Sequence, residues 1–165
     1  MIAPLRIVAF VAGGAIVWVV AASQVPSHLR LPLNGVVAGA VISQRFGCTA
    51  FELEPYDPFC PGRHIHTGID LAAPIGTAVH SASSGIAHAG VDPNGAGNFV
   101  MVVVDAHVRI FYCHLSVIGA VNGQTVSPGQ VIGLVGATGL ATGPHVHFEI
   151  QVDGTSVDPV AWLAS

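Results

Sequence analysis

The chain has 165 residues, 52% of them hydrophobic and only 8% charged, with a formal net charge of −4 at pH 7. This length allows one ordinary domain plus a short extension, and the apolar fraction is ample for a core. The five basic residues are the scattered arginines Arg6, Arg30, Arg45, Arg63 and Arg109, and no lysine occurs. Nucleic-acid binding therefore has no basic footprint to rest on.

Arg6 precedes an apolar run from Ile7 to Ala22, interrupted only by small residues and followed by Ser23 and Gln24. A basic residue, an apolar stretch and the small residues Val20-Ala21-Ala22-Ser23 read as a secretory signal. The run is slightly short for a membrane span, so residues 1–23 are expected to be a cleaved signal peptide or, uncleaved, an N-terminal membrane anchor. Residues 24–32 follow as a Pro-containing linker, and 33–165 form the domain. Either fate exports the domain, to the extracellular space or the cell wall. An oxidising compartment favours a bridge between Cys48 and Cys60, which enclose a short loop rich in Pro, Glu and Asp. Cys113 is left over. Alternation within Ile110–Leu115 places it opposite His114, as a small buried thiol.

From Gly35 onward the sequence is a succession of short β-prone runs punctuated by glycine and proline. A first strand is expected between Gly35 and Phe46, ahead of the cysteine loop. Further strands are expected over 77–82, 85–90, 98–105, 108–115, 130–136 and 145–152. Phe99–Val104 is continuously apolar, which predicts a central strand buried on both faces. Only 158–163 suggests a helical turn, with Asp158 as a cap ahead of Pro159. The expected fold is all-β: a compact antiparallel sheet or sandwich with an open groove and few regular helices beyond the N-terminal segment.

The stretch with most chemistry is Thr142-Gly143-Pro144-His145-Val146-His147-Phe148-Glu149-Ile150. Val146, Phe148, Ile150 and Val152 alternate with His145, His147, Glu149 and Gln151, the period of a half-buried strand. Both imidazoles therefore share the face away from the core. Upstream, His66 and Asp70 flank Gly68 in a segment that can turn sharply. Zinc accepts imidazole nitrogen and carboxylate oxygen, and a catalytic site keeps one position open beside three protein ligands. His66, Asp70 and one of His145 or His147 supply such a set, though the same ligand types also suit ferrous iron.

Three segments together carry a more specific signal: His66-Thr67-Gly68-Ile69-Asp70-Leu71-Ala72-Ala73-Pro74, Tyr112-Cys113-His114-Leu115, and Gly139 through Glu149. In order and spacing, over about residues 33–163, they resemble the lysostaphin-type zinc metalloendopeptidases, which cut the peptide part of bacterial peptidoglycan. Gly97-Asn98-Phe99-Val100 and Gly129-Gln130-Val131-Ile132-Gly133 are also similar to family segments. The resemblance implies one zinc ion held by His66, Asp70 and His147. It implies His145 as the catalytic histidine beside the metal. His114 would be a second unliganded histidine that orients the water or stabilises the oxyanion. The implied substrate is a peptidoglycan stem peptide or cross-bridge, with a membrane contact only through residues 1–23.

Other histidines fall outside these motifs. His64 is expected at the rim or behind a ligand, and His28, His80, His88 and His107 as surface or satisfied side chains. Glu149 is either a support for a histidine or an exposed strand carboxylate. Three rival functions compete. A biotinyl or lipoyl carrier has the texture of Val126–Gly133 but needs a lysine. A non-catalytic wall binder, or activator of another hydrolase, is expected to lose ligands that this chain keeps. A cysteine–histidine peptidase requires Cys113 and a histidine on one face, which alternation argues against.

Overall fold

The structure, a computed structural model, describes residues 8–12, 15–19 and 30–165. At the N-terminus, β1 (Val8–Ala12) and β2 (Ala15–Val19) pair antiparallel. The remainder of 1–23, where the signal or anchor is expected, lies outside the described residues, as do 24–29 with His28. Among the described residues no helix is long and apolar enough to cross a membrane. The expected linker is already fastened to the domain at its end: the Leu31 amide donates to Ala82 O at 2.8 Å.

The domain then runs through α1 (Leu33–Val36), β3 (Val41–Gln44), β4 (Gly47–Thr49), β5 (His64–His66), β6 (Ile69–Ala72) and β7 (Ala78–His80). Next come β8 (Gly85–Asp92), β9 (Gly97–Val103), β10 (Val108–Leu115), β11 (Val117–Ile118), β12 (Thr125–Val126) and β13 (Val131–Leu134). It closes with β14 (His145–Val152), β15 (Thr155–Val157) and α2 (Pro159–Ala164). The pairings are antiparallel throughout, so the all-β expectation holds. The four-residue α1 was not expected. At the other end, Asp158 caps α2 as its position implied, its carboxylate accepting from the Val160 amide at 2.9 Å. Such a cap contributes about 1 kcal/mol.

The main sheet has the order β12-β8-β9-β10-β14-β6-β3, with β15 added on the β6 side of β14. A smaller sheet, β11-β13-β7, packs against it, and β4 pairs with β5. β14 is the spine. Phe148–Val152 pair with β10 along one edge, while His145–Phe148 pair with β6 along the other. Its core face carries Val146, Phe148 and Ile150, all fully buried with Tyr112, Ile110, Ile69 and Leu115. Each such side chain contributes about 1.5–3 kcal/mol on burial. A slip of one residue would turn that apolar row to solvent, so the core locks the register that aims the histidines. The Tyr112 hydroxyl meets its polar need inside the core by accepting from the Ala82 amide at 2.7 Å.

β9 is central, flanked by β8 and β10. It is not buried equally on both faces: Val100 and Val102 are fully buried, while Phe99, Met101 and Val103 are half-buried. The continuous apolar run overstated the cover on its second face.

Candidate metal centre and groove

His147 lies directly across the β14–β6 ladder from Asp70, and His145 across from Ala72. Opposed residues on an antiparallel pair point to the same face with Cβ atoms about 4.5–5.5 Å apart. Pairing alone thus brings Asp70 and His147 together. His66 joins them because the chain turns tightly between β5 and β6. A Cβ on Gly68 would lie 2.5 Å from Phe148 O, so only glycine lets that turn approach β14 so closely.

Three atoms converge: His66 Nε2 is 2.9 Å from His147 Nδ1 and 3.1 Å from Asp70 Oδ1, and His147 Nδ1 is 3.2 Å from Asp70 Oδ1. The far side of each ring fixes what faces inward. His66 Nδ1 sits 2.9 Å from the Arg45 carbonyl, an acceptor, so it carries the proton and leaves Nε2 as a lone pair. His147 Nε2 is 3.5 Å from Glu149 Oε2, which leaves Nδ1 facing Asp70. Two imidazole lone pairs and a carboxylate oxygen would repel one another without a cation between them. Bonds of about 2.0–2.1 Å to a tetrahedral zinc place its ligand atoms about 3.3 Å apart. The donor set therefore fits a divalent metal in chemistry and in spacing.

The electrostatics agree. Burial pushes the Asp70 carboxyl up, but hydrogen bonds from His147 and His66 outweigh it and hold the group well below the usual carboxylate range. For His147, burial acts downward, and hydrogen bonds to Asp70 and Glu149 reverse it, raising the imidazole to about 9. A proton and a metal ion would compete for the inward nitrogen of His147, so metal binding there is pH-dependent. Glu149 is a supporting carboxylate and not an exposed one. It accepts from Thr67 Oγ1 at 3.0 Å, Gln151 Nε2 at 2.7 Å and Ser156 Oγ at 2.7 Å. Burial raises it, but hydrogen bonds to His147, Gln151 and Ser156 bring it down to about 2.

His114 and His145 stand beside the trio with ring centroids 4.8 Å apart. His145 Nδ1 donates to Gly143 O at 2.8 Å, and its Nε2 is 3.6 Å from Asp70 Oδ1. His114 Nδ1 donates to Thr138 O at 2.8 Å. Each ring therefore keeps Nε2 as an acceptor. Burial drives His114 down to about 4, outweighing the Thr138 bond that acts upward, so the ring is neutral at ordinary pH.

The route by which His114 reaches this face overturns the alternation argument. Tyr112 pairs with Val100 and Leu115 with Asn98, so Cys113 and His114 together oppose Phe99. This two-against-one count is a β-bulge. His114 adopts φ +63°, a left-handed conformation that costs a non-glycine residue on the order of 1–3 kcal/mol. Cys113 and His114 consequently both line the groove. The cysteine nucleophile fails on a different ground: burial, with the Glu149, Asp70 and Asp92 charges, pushes the Cys113 thiol up to about 12. A thiol in that state is not a nucleophile.

The bulge is pinned from outside the strand. Thr138 Oγ1 accepts from the Asn98 amide and donates to Leu115 O, both at 2.9 Å, and Asn98 Nδ2 donates to Leu115 O at 3.0 Å. Gly97, at φ +64°, lets this contact form, since its Cβ would fall 2.4 Å from Thr138 O. Sequence reasoning missed Thr138 and the positioning role of Asn98. The Gly97-Asn98 pair was visible only as part of a resemblance.

The site opens into a groove of about 410 Å³. Leu140 and Thr142 stand on one side; Phe51, Leu53 and Glu54, from the loop closed by the Cys48–Cys60 disulfide, stand on the other. The expected bridge is present, and its loop forms a groove wall. His64 sits behind that wall, its Nδ1 2.7 Å from Glu54 O and its ring edge-on to Tyr56. Of the remaining histidines, His88 is exposed and His107 pairs with Asp153 at 2.6 Å. His80 departs from expectation, because its Nδ1 is buried with no hydrogen-bond partner among the described residues.

Residues 64–159 match the model of Peptidase family M23. The chain is 43% identical over 93 residues to the peptidoglycan DD-endopeptidase ShyA of Vibrio cholerae, a match covering 56% of this chain and 22% of ShyA. It thus spans about a quarter or less of the length of the curated relatives it matches. A zinc-containing peptidase from Vibrio cholerae superposes with a TM-score of 0.66 at 33% identity, covering 79% of this chain and 40% of that one. The catalytic domain of lysostaphin from Staphylococcus simulans gives 0.63 at 33% identity, covering 76% of this chain and 93% of that domain. A family match over more than half the chain, on a fold and a donor set of this kind, makes the chain a member of Peptidase family M23.

Proposed function

We propose that this domain is a zinc endopeptidase that hydrolyses an amide bond in the peptide part of peptidoglycan. The observation that carries the reading is the facing of His66 Nε2, Asp70 Oδ1 and His147 Nδ1 within 3.2 Å of one another. The acceptor nitrogens of His145 and His114 overlook the same groove. The names of relatives that act on peptidoglycan support the substrate class. In this reading His66, Asp70 and His147 hold one zinc ion, which when bound supplies Lewis acidity toward the amide carbonyl and the attacking water.

The chain's own residues do the rest. His145 Nε2 takes the proton of the water, and the resulting imidazolium faces the Asp70 carboxylate. His114, kept neutral by burial, accepts a hydrogen bond from the same water and orients it. Its Nδ1 is committed to a carbonyl, so water orientation, and not oxyanion donation, is its role. As the C–N bond breaks, His145 returns the proton to the leaving amine. No covalent intermediate is needed. The disulfide is consistent with an exported domain, and we assign export to residues 1–23.

Mass spectrometry of fragments released from purified peptidoglycan by the full chain, with and without a zinc chelator, tests the proposal. Chelator-sensitive release with new amino termini is expected, and the fragments identify the bond. Absence of release by protein that contains zinc would reduce the domain to a wall binder or an activator.

A further inference from the structure

The groove wall contributed by the disulfide loop carries one carboxylate that the reaction above does not use. Glu54 lies between β4 and β5, and its backbone is tied down from several sides. Its amide donates to Phe51 O at 3.1 Å, its carbonyl accepts from His64 Nδ1, and the Ile65 amide donates to Pro55 O at 3.0 Å. The Cys48–Cys60 bridge closes the same loop. The side chain is therefore presented by a braced element and not by a free one. Its Oε1 accepts from Gln44 Nε2 at 2.9 Å and stands 3.9 Å from His66 Nε2, the atom that faces the metal position. Its Oε2 has no hydrogen-bond partner among the described residues, and no arginine is paired with it.

The other groove carboxylates are committed, Asp70 to the two ligand histidines and Glu149 to its four partners. Among the described residues no arginine lines the groove, and the chain has no lysine. A site that reads a terminal carboxylate ordinarily supplies a cation for it. This one supplies an anion. One residue of extended chain spans about 3.5 Å, comparable to the 3.9 Å between Glu54 Oε1 and His66 Nε2.

Resting on the hydrolase reading above, we propose that Glu54 is a specificity residue. Its carboxylate receives a free ammonium group on the substrate residue adjoining the scissile amide. The groove thereby prefers internal amides of amine-bearing peptides to amides that end in a carboxylate.

The test uses the full chain loaded with zinc and two synthetic peptide dimers joined through a D-alanyl amide. They are identical except that a diamino-acid amine beside that amide is free in one and acetylated in the other. Cleavage is followed with wild type and Glu54→Gln. Equilibrium binding is followed by calorimetry with His145→Ala and with His145→Ala/Glu54→Gln. Acetylation is expected to lower kcat/KM and affinity roughly tenfold when Glu54 is present, the scale of one charge-assisted hydrogen bond in a partly open groove. Glu54→Gln should erase that difference with zinc content unchanged. Equal discrimination with and without Glu54, no discrimination or binding by protein that retains Glu54, or faster cleavage of both peptides by Glu54→Gln would overturn the assignment. Binding that prefers the free amine through Glu54, without cleavage of either peptide, would remove the hydrolase reading and leave Glu54 standing.

Discussion

β10 and β14 are neighbours of equal length, eight residues each, and each presents histidine to the same groove. They do so by opposite means. β14 never breaks its alternation: its buried residues Val146, Phe148 and Ile150 are strictly interleaved with His145, His147 and Glu149. β10 keeps step with it from Val108 to Tyr112 and then doubles a position, sending both Cys113 and His114 to the groove. In β14 the side-chain direction is a property of the strand and its core. In β10 it is imposed by a bulge held by Thr138 and Asn98. A regular strand thus carries its site as a by-product of folding, whereas a bulged one needs separate support.

Removing the proposed ligand on the regular strand should have the largest effect. His147→Ala leaves the core face of β14 untouched, so the fold should survive, as circular dichroism will report. Losing even a residue that merely supports a ligand costs about 10–100-fold in metal affinity, and losing the ligand itself should exceed that. Metal analysis should find less than stoichiometric zinc, and release of peptidoglycan fragments should fall to background. Full zinc occupancy in this variant would refute the ligand set.

Next in size is the loss of either unliganded histidine. His145→Ala and His114→Ala should each retain zinc while kcat falls about 10²–10⁴-fold, the usual span for a positioned acid–base group. If the roles differ as argued, the His114 variant should sit at the mild end, since orienting a water is a smaller task than moving its proton. Equal, complete losses with loss of zinc would place His114 among the ligands and sink the distinction between the two strands.

The bulge can be challenged without touching either strand. Thr138→Val keeps the shape of the side chain and removes the two hydroxyl hydrogen bonds to Asn98 and Leu115. Leu115 O keeps its bond from Asn98 Nδ2, but the Asn98 amide loses its partner at a cost of about 1–3 kcal/mol, so urea denaturation should report destabilisation of that order. Turnover should drop in parallel, and zinc content should not, because the proposed ligands stand on β14, β5 and β6. Unchanged turnover with lowered stability would mean that the bulge is held by backbone alone.

The same contrast explains what was legible beforehand. Period-two hydropathy located β14, and with it the shared face of His145 and His147. Residue spacing alone left open which of the two joins His66 and Asp70, because that depends on which faces Asp70 across the ladder, a matter of register. The His66–Asp70 turn was readable from its glycine, though the reason, the contact with Phe148 O, is tertiary. The motif resemblance pointed to His114, which lines the groove, whereas alternation set Cys113 on the opposite face and was overturned, because a bulge leaves no mark in the hydropathy of Tyr112–Leu115. Glu54 and Thr138 were invisible as site residues. They lie on loops, where no period constrains direction: Glu54 comes to the groove within the disulfide-closed loop, and Thr138 comes to the bulge beside the Gly97 turn. α1 was missed because four residues are too few to show a helical period.

The far end of the β10–β14 ladder offers the smallest test, in a place where both strands are regular. There Val108 pairs with Val152, the Asp153 amide donates to His107 O at 2.8 Å, and the two side chains meet at 2.6 Å. The hydrogen bond to Asp153, and then its charge, raise His107 above its ordinary value. A group raised in the folded state stabilises fully below its unfolded value, about 6.5 for histidine. That contribution disappears as pH climbs through the raised folded value. Asp153→Asn keeps a residue that tolerates φ +51° and removes the charge. Proton NMR should show the His107 midpoint falling back toward 6.5. The variant should melt slightly below wild type at about pH 5.5 and together with it at about pH 9, with cleavage unaffected. A Tm gap that instead widened toward high pH would mean that Asp153 acts through the turn and not through His107, since deprotonation cannot strengthen this pair.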